Sequence, residues 1–385
     1  MRIALDARVA QSDRVGLGVY VLGLVRALAR AYPEHQLLLL TSPRLPELDL
    51  MPAPNIEVFP VAPTYQEYFA RDWWEQWDLP PLLTQLAADV YHAPNYTLPV
   101  LRSMPCPAIL TLYDASLFVI SSAYRARHAV RVRFLITHSV KRAAAVVFGS
   151  RHAQAEFRGQ LGSSLPALQR PIYIGVPEDI RMGEAGGDRA SEAAVVAKYK
   201  LSRPYAIAVG SIHPRKNYAR LIEAVARPGM EGCNLVLAGS VAWKADAIRR
   251  TILDLGMEQR VTLTGFVETA ELSRLIRGAV MLVFPSLYEG FGIPPLEAFA
   301  LGVPVCASNA TSIPEVVGDA AVLFDPRSVD DIASAMSRML GDRQLRADLV
   351  LKGRIRLERF SWKQCAREHV ELYCTVASKR ARSTR

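Results

Sequence analysis

At 385 residues, half of them apolar, the chain is long enough for two domains that each bury an ample core. It has no run of about 18 uncharged apolar residues, so the pattern excludes a membrane-spanning helix. The formal charge of +9 favours anionic partners: nucleotides, lipid phosphates or nucleic acid.

MRIALDA enters a strand-like segment (Arg2 to Ala7) without a signal-peptide pattern, and the five cysteines, Cys106, Cys233, Cys306, Cys365 and Cys374, form no C-x-x-C pair. A reducing cytoplasm is expected. Ala10 to Gly18 reads as a polar loop before a periodic helix from Val19 to Tyr32. Gly16 and Gly18 there permit either close approach to a phosphate or a simple tight turn, and Val21 stands where a dinucleotide fingerprint needs its third glycine. Leu37 to Thr41 and Ile56 to Phe59 are further strands. Trp73, Trp74 and Trp77 in the helical segment 65–83 are expected to pack against the domain, with an exposed stripe for lipid as the alternative.

Asp89 to Pro99 reads as a strand end with His92, Asn95 and Tyr96 on a loop. Ile109 to Tyr113 is a buried strand with Asp114 just past it, where the carboxylate either caps the chain or orients a ligand. Tyr124 to Ala145 is the most basic segment. Wound as a helix it sets Val132, Leu135, Ile136 and Val140 to one side and Arg127, Arg131, His138 and Arg142 to the other, a pattern for an anionic membrane surface or for an ordinary solvated face. Strands at Val146 to Ser150 and Pro171 to Val176 close this half. Residues 177–200, with Gly186-Gly187, read as an interdomain connection.

Tyr205 to Val209 restarts the alternation, followed by GSIHPRKN (210–217) and a helix from Tyr218 to Ala226. Arg215 and Lys216 project from that post-strand loop, either solvated or placed to neutralise an anion. Strands follow at Leu235 to Gly239 and Val261 to Gly265, with Phe266 and Val267 beyond the latter. Met281 to Phe284 is a strand buried on both faces, and Pro285 stops it. Ser286 to Gly292 is the loop at its carboxyl end. Gly290 and Gly292 bracket Phe291 and admit a ligand to the backbone, and Pro294 and Pro295 suit the first turn of a helix whose amino end attracts an anion such as phosphate. Glu289 at the loop and Glu297 in the helix can read hydroxyls on either side of that anion, as a nucleotide sugar would present them; a solvated residue and a capping carboxylate are the alternatives. Val303 to Ala307 is a strand, the chain is helical from Pro326, and Phe360 to Tyr373 is a terminal helix before a basic tail.

Glu289 and Glu297, with seven residues between them in PSLYEGFGIPPLEAFALGVPV, resemble the E-x7-E signature of the retaining GT-B glycosyltransferases of family GT4. The resemblance implies an α/β fold of two doubly wound Rossmann-like domains facing a central cleft: 1–176 on the acceptor side, a 177–200 linker, 201–359 binding the nucleotide sugar, a helix 360–378 crossing back to the first domain, and a basic tail 379–385. It implies that Glu289 contacts the donor sugar, Glu297 the ribose, and the amides around Gly290, Phe291 and Gly292 the diphosphate. Gly18 would adjoin the donor phosphates, Ser286 and Val267 would line the donor site, and Lys216 and Arg215 would neutralise the leaving group. Two positions depart from the family. Ser211 replaces an arginine, and Tyr113 stands where many members carry a histidine before Asp114. A tyrosine can hydrogen-bond a sugar but carries no positive charge near neutral pH.

The reading is a retaining, metal-independent hexosyltransferase of the mannosyltransferase-like branch. Mannose from GDP-mannose would go to a saccharide or lipid-linked saccharide in bacterial surface polysaccharide synthesis. Glu289, Lys216 and Asp114 carry catalysis; His92, Asn95, Tyr96 and Tyr113 face the acceptor. No cofactor and no metal is expected, because no D-x-D occurs and the nearest approach, Glu47-Leu48-Asp49, lies in a Pro-rich loop. The expected location is the cytoplasm, with possible peripheral contact between Tyr124–Ala145 and the inner membrane face. A sugar-nucleotide epimerase of the same fold is the alternative. A nucleic-acid-binding protein is a further one, although helix-turn-helix, zinc and RNP patterns are missing.

Overall fold

The computed structural model describes residues 1–11, 16–42, 53–62, 68–120, 126–176, 180, 189–240 and 245–383. Glu47-Leu48-Asp49, Gly186-Gly187 and the start of the basic segment at Tyr124 lie outside them. The chain divides into two compact units, Met1–Gly175 with Phe360–Arg385, and Val176–Arg359.

The first unit is built on a seven-stranded parallel sheet, β1 (Arg2–Asp6), β2 (Gln36–Thr41), β3 (Ile56–Pro60), β4 (Val90–Ala93), β5 (Ala108–Leu112), β6 (Ala145–Phe148) and β7 (Gln169–Pro171), in the order β3-β2-β1-β4-β5-β6-β7. The second has six parallel strands, β8 (Tyr205–Val209), β9 (Asn234–Ala238), β10 (Val261–Gly265), β11 (Met281–Phe284), β12 (Val305–Ser308) and β13 (Ala321–Phe324), in the order β10-β9-β8-β11-β12-β13. Runs such as LLLL, AVVF, AIAV and MLVF are apolar on both faces because helices cover both faces of each sheet. In each unit the strand order reverses beside one strand, between β1 and β4 and between β8 and β11. Ligands of doubly wound sheets bind at such a point, outside the strands' carboxyl ends.

In the first unit, α1 (Gly16–Ala31) follows β1 and α2 (Tyr68–Trp77) and α3 (Leu79–Gln85) precede β4. Next come α4 (Ser116–Val119), α5 (Ala126–Arg142) and α6 (Arg151–Leu161). The terminal helix runs from Trp362 to Ser383, five residues beyond the expected end at 378, and so takes up most of the basic tail. It packs on α1, where a Cβ on Gly23 would meet the Trp362 ring at 2.2 Å and one on Gly175 at 2.4 Å, so both positions are limited to glycine by that indole. In the second unit the helix Arg189–Lys198 falls inside the stretch read as connection and packs on the helix Thr269–Arg277, with the Tyr199 hydroxyl donating to Glu271 at 3.0 Å.

Three expectations are corrected. Gly18 is not in a loop: α1 begins at Gly16 and carries Gly18, buried, in its first turn. His92 belongs to β4, not to a loop. The tryptophans do not all pack: Trp74 is buried under the Arg8 guanidinium, 4.2 Å above its ring, but Trp73 is 66% exposed. Neighbouring residues on a helix point roughly 100° apart, so one of the pair must turn outward.

Candidate functional site

The loops leaving β8 and β11 flank the switch point of the second unit, and their charged side chains meet there. After β8 the chain passes Gly210 (φ +138°), where a Cβ would press on Lys216 Cε at 3.0 Å, then a 3-10 turn over Pro214–Lys216. Asn217 ends that turn in the left-handed region (φ +60°), which asparagine tolerates, and its Nδ2 donates to the carbonyls of Pro285 and Pro326 at 3.1 and 2.6 Å. The Tyr218 hydroxyl donates to Gly210 O at 3.1 Å. Lys216 is thereby fixed in place, buried, with Nζ 2.7 Å from Glu289 Oε1; Arg215 Nη1 lies 3.2 Å from Glu289 Oε2.

Glu289 is 7% exposed. Burial alone would raise its pKa, but the Lys216 and Arg215 charges, with a hydrogen bond from Lys216, hold the carboxyl below the usual carboxylate range. Two cations thus converge on one carboxylate, an arrangement that an incoming anion could share. Ser286 is fully buried at the base of the loop.

The helix Ile293–Ala300 starts at Gly292, whose φ of +113° is open to glycine and strained for other residues. Pro294 and Pro295 occupy its second and third positions and carry no N–H, so the amino end offers the amides of Gly292 and Ile293 rather than the usual set of free donors. The loop before it brings Gly290 and Phe291 to the same place. Glu297 is the fifth helical residue, partly buried, about 6 Å along the axis from Ile293. Val267, beyond β10, is buried, whereas Phe266 beside it is 57% exposed.

Two residues not singled out from the sequence hold this loop. Thr311 Oγ1 accepts from the Glu289 amide at 3.1 Å, and the Ser312 hydroxyl donates to the carbonyls of Glu289 and Phe291 at 2.8 and 3.0 Å. Thr311 does so at φ +55°, an outlier for a β-branched residue. Nothing in the sequence around Thr311 and Ser312 announces that their hydroxyls turn back on residue 289.

In the first unit the acceptor-side candidates separate. His92 is fully buried: Nδ1 is 2.8 Å from the Tyr373 hydroxyl and Nε2 2.7 Å from Thr111 Oγ1, and burial pushes its pKa well down. Asn95 donates to Asp6 Oδ2 at 2.9 Å and to Glu75 Oε1 at 3.3 Å, inside a buried network with Arg8. Both are sealed by partners distant in sequence. Tyr113 and Tyr96 stay partly buried with rings 5.9 Å apart, and Tyr113 lies edge-on to Tyr20 at 5.2 Å. The Asp114 amide donates to the Tyr96 hydroxyl at 3.2 Å, while Oδ1 accepts at 2.9 Å from the amide of Ser116, the first residue of α4.

Two doubly wound parallel-sheet units, with Lys216 and Arg215 meeting Glu289 at the switch point of the second, have the architecture of the GT-B glycosyltransferases. Residues 15–179 match the family description Glycosyltransferase Family 4, and residues 192–356 match Glycosyl transferases group 1. Among relatives, the chain is 31% identical over 291 residues to the O-antigen chain mannosyltransferase B of Escherichia coli, covering 74% of each. It is 30% identical over 221 residues, 54% of this chain and 56% of the other, to the GDP-mannose-dependent alpha-(1-6)-phosphatidylinositol monomannoside mannosyltransferase of Mycobacterium tuberculosis. Among solved structures, a sucrose-phosphate synthase from Thermosynechococcus elongatus superposes with a TM-score of 0.80 at 20% identity, over 98% of this chain and 100% of that one. The chain belongs to the GT4 family of glycosyltransferases.

Proposed function

We propose that this glycosyltransferase moves mannose from GDP-mannose, with retention and without a metal, to a saccharide or lipid-linked saccharide acceptor in bacterial surface polysaccharide synthesis. The observation that carries the reading is the convergence of Lys216 and Arg215 on Glu289 beside a helix amino end. Mannose and the guanine nucleotide are supported by the names of the two relatives, one of which specifies GDP-mannose.

Chemically, a diphosphate must leave an anomeric carbon while an acceptor hydroxyl attacks from the same face and passes its proton to an oxygen of the departing phosphate. Lys216, Arg215 and the amides of Phe291, Gly292 and Ile293 take up the charge that develops on the leaving oxygens. Glu289 then exchanges part of its ion pairing for hydroxyls of the sugar, and holds the anomeric carbon so that the acceptor reaches the face from which the diphosphate departs. Glu297 binds the ribose, and Asp114 with Tyr96 and Tyr113 orients the acceptor. Glu289 is not assigned as a covalent nucleophile, since two cations already engage its carboxylate. The enzyme works as a peripheral protein on the inner membrane face; among the described residues no helix is long and apolar enough to cross a membrane.

The test is a thermal-shift screen against GDP-, UDP-, dTDP- and ADP-sugars, because a ligand that binds the folded state raises apparent stability by mass action. GDP-mannose is expected to give the largest shift, followed by transfer that resists EDTA and yields an α-linked product by NMR. Isomerised sugar nucleotide formed without acceptor would overturn transfer in favour of epimerisation.

A further inference from the structure

The helix α2 is amphipathic in the opposite sense to an ordinary surface helix. Its buried face holds Arg71, Trp74, Glu75 and Gln76, and the charged members pair inside the unit: Arg8 Nη2 lies 3.3 Å and Arg71 Nε 3.7 Å from Glu75 Oε1. Its solvent face carries Phe69, Trp73 and Trp77, at helical i, i+4, i+8 spacing and 86%, 66% and 37% exposed. Aromatic groups left in water on one stripe mark a contact surface.

That stripe continues onto a cationic neighbour. The Arg131 side chain pairs with Asp72 and so ties α5 to α2. α5 contains five basic residues, Arg127, Arg131, Arg133, Lys141 and Arg142, and no acidic one, yet it leaves Val130 and Phe134 67% and 55% exposed. At the far end of α2, the Arg102 guanidinium stacks over Trp77 at 4.4 Å, Leu101 is 68% exposed, and Arg142 donates to Arg102 O at 3.0 Å. Beyond Arg142 the surface opens into a cavity of about 650 Å³ whose wall includes Lys379 and Arg380.

We propose that α2, the 101–102 turn and α5 form one face that docks on an anionic lipid bilayer, with the aromatic and aliphatic side chains entering the headgroup and acyl boundary and the cations meeting the lipid phosphates. Charge complementarity selects the occupant. Tryptophan favours the interface, and the exposed aliphatic Leu101 and Val130 gain from hydrocarbon but would gain nothing from stacking on nucleobases. This deepens the peripheral attachment proposed above, but it rests on the surface of the first unit, so vesicle binding and nucleotide-sugar binding can fail separately.

The experiment is co-sedimentation of the full chain with vesicles of phosphatidylcholine, alone or mixed with phosphatidylglycerol. Binding to the mixed vesicles only, weakened by salt and accompanied by a blue shift of tryptophan fluorescence, is expected. Phe69→Ser with Trp73→Ser should reduce partition at least about tenfold, Arg127→Glu more modestly, with melting temperature and GDP-mannose binding unchanged. Failure of the wild-type chain to bind anionic vesicles, unaltered partition of the double variant, or loss of vesicle binding to competing oligonucleotide would each overturn the proposal.

Discussion

The two switch points place a buried glutamate beside two arginine or lysine side chains in both units, and the outcomes are opposite. In the first unit, burial lifts the Glu75 carboxyl above its ordinary range despite Arg71 and Arg8, and the surrounding Asp6, Asn95 and Thr97 close the network on itself. In the second, Lys216 and Arg215 hold Glu289 below the carboxylate range although burial opposes them. The difference lies in what else is in the crevice. Beside Arg8 stand two acids, Asp6 and Glu75, that bond to it inside the unit; Lys216 and Arg215 both bond to one carboxylate, Glu289, on a loop that leads into a helix amino end.

Substitutions can break or sharpen that contrast. Glu289→Ala is expected to lower transfer by about 10³-fold. Because it leaves Lys216 charged and poorly exposed, Glu289→Gln should be made beside it and be equally inactive but better folded; near-normal turnover in either variant, measured with GDP-mannose, would refute the site. Glu75→Ala should do the reverse, costing about 3–5 kcal/mol in denaturant unfolding because Arg8 loses a buried partner, while the nucleotide-sugar affinity holds.

Acid should strike the first unit as well. Burial pushes His369 down to about 4, and its Nδ1 lies 2.8 Å from Cys365 O and its Nε2 2.7 Å from the Tyr20 hydroxyl. The unfolded chain takes up this proton near the ordinary value of about 6.5 and the folded chain resists it, so the stabilisation is fully present above 6.5 and is lost as pH falls through about 4. Urea midpoints should fall over that window by the equivalent of about 3 kcal/mol, and a His369→Gln variant should show a flatter profile. Lys216→Met should reduce kcat about 10²-fold with the fold retained, read by turnover at saturating donor. Smallest is Thr311→Gly, which relieves a strained φ and removes the hydroxyl that positions the Glu289 amide. Turnover should fall about tenfold with a stability change under about 1 kcal/mol, and an unchanged kcat would show that the loop holds itself.

The β11 loop illustrates what was legible beforehand. Its apolar strand, stop proline, paired glycines and spaced glutamates all act within about 20 residues, and the observed β11 and the helix after it follow that reading. His92 illustrates what was not. A histidine after an apolar strand reads as a loop ligand until Tyr373 arrives 281 residues later in the chain to hydrogen-bond its Nδ1. The short strand β13 was likewise missed, since its pairing with β12 comes from sheet order and not from a periodicity of its own.

The sequence by itself determined the class of the fold, most of the strands though neither β13 nor the bounds of β7, the donor loop and the identity of the charged groups around it, because these depend on local periodicity and on residues with fixed backbone preferences. Only the tertiary structure decided which polar side chains are sealed, that Thr311 and Ser312 clamp the donor loop, and that α2 turns its aromatics outward. Those outcomes depend on partners brought together by sheet order across long stretches of chain, and the energy of a charge or an aromatic ring is set by those neighbours rather than by its own residue type.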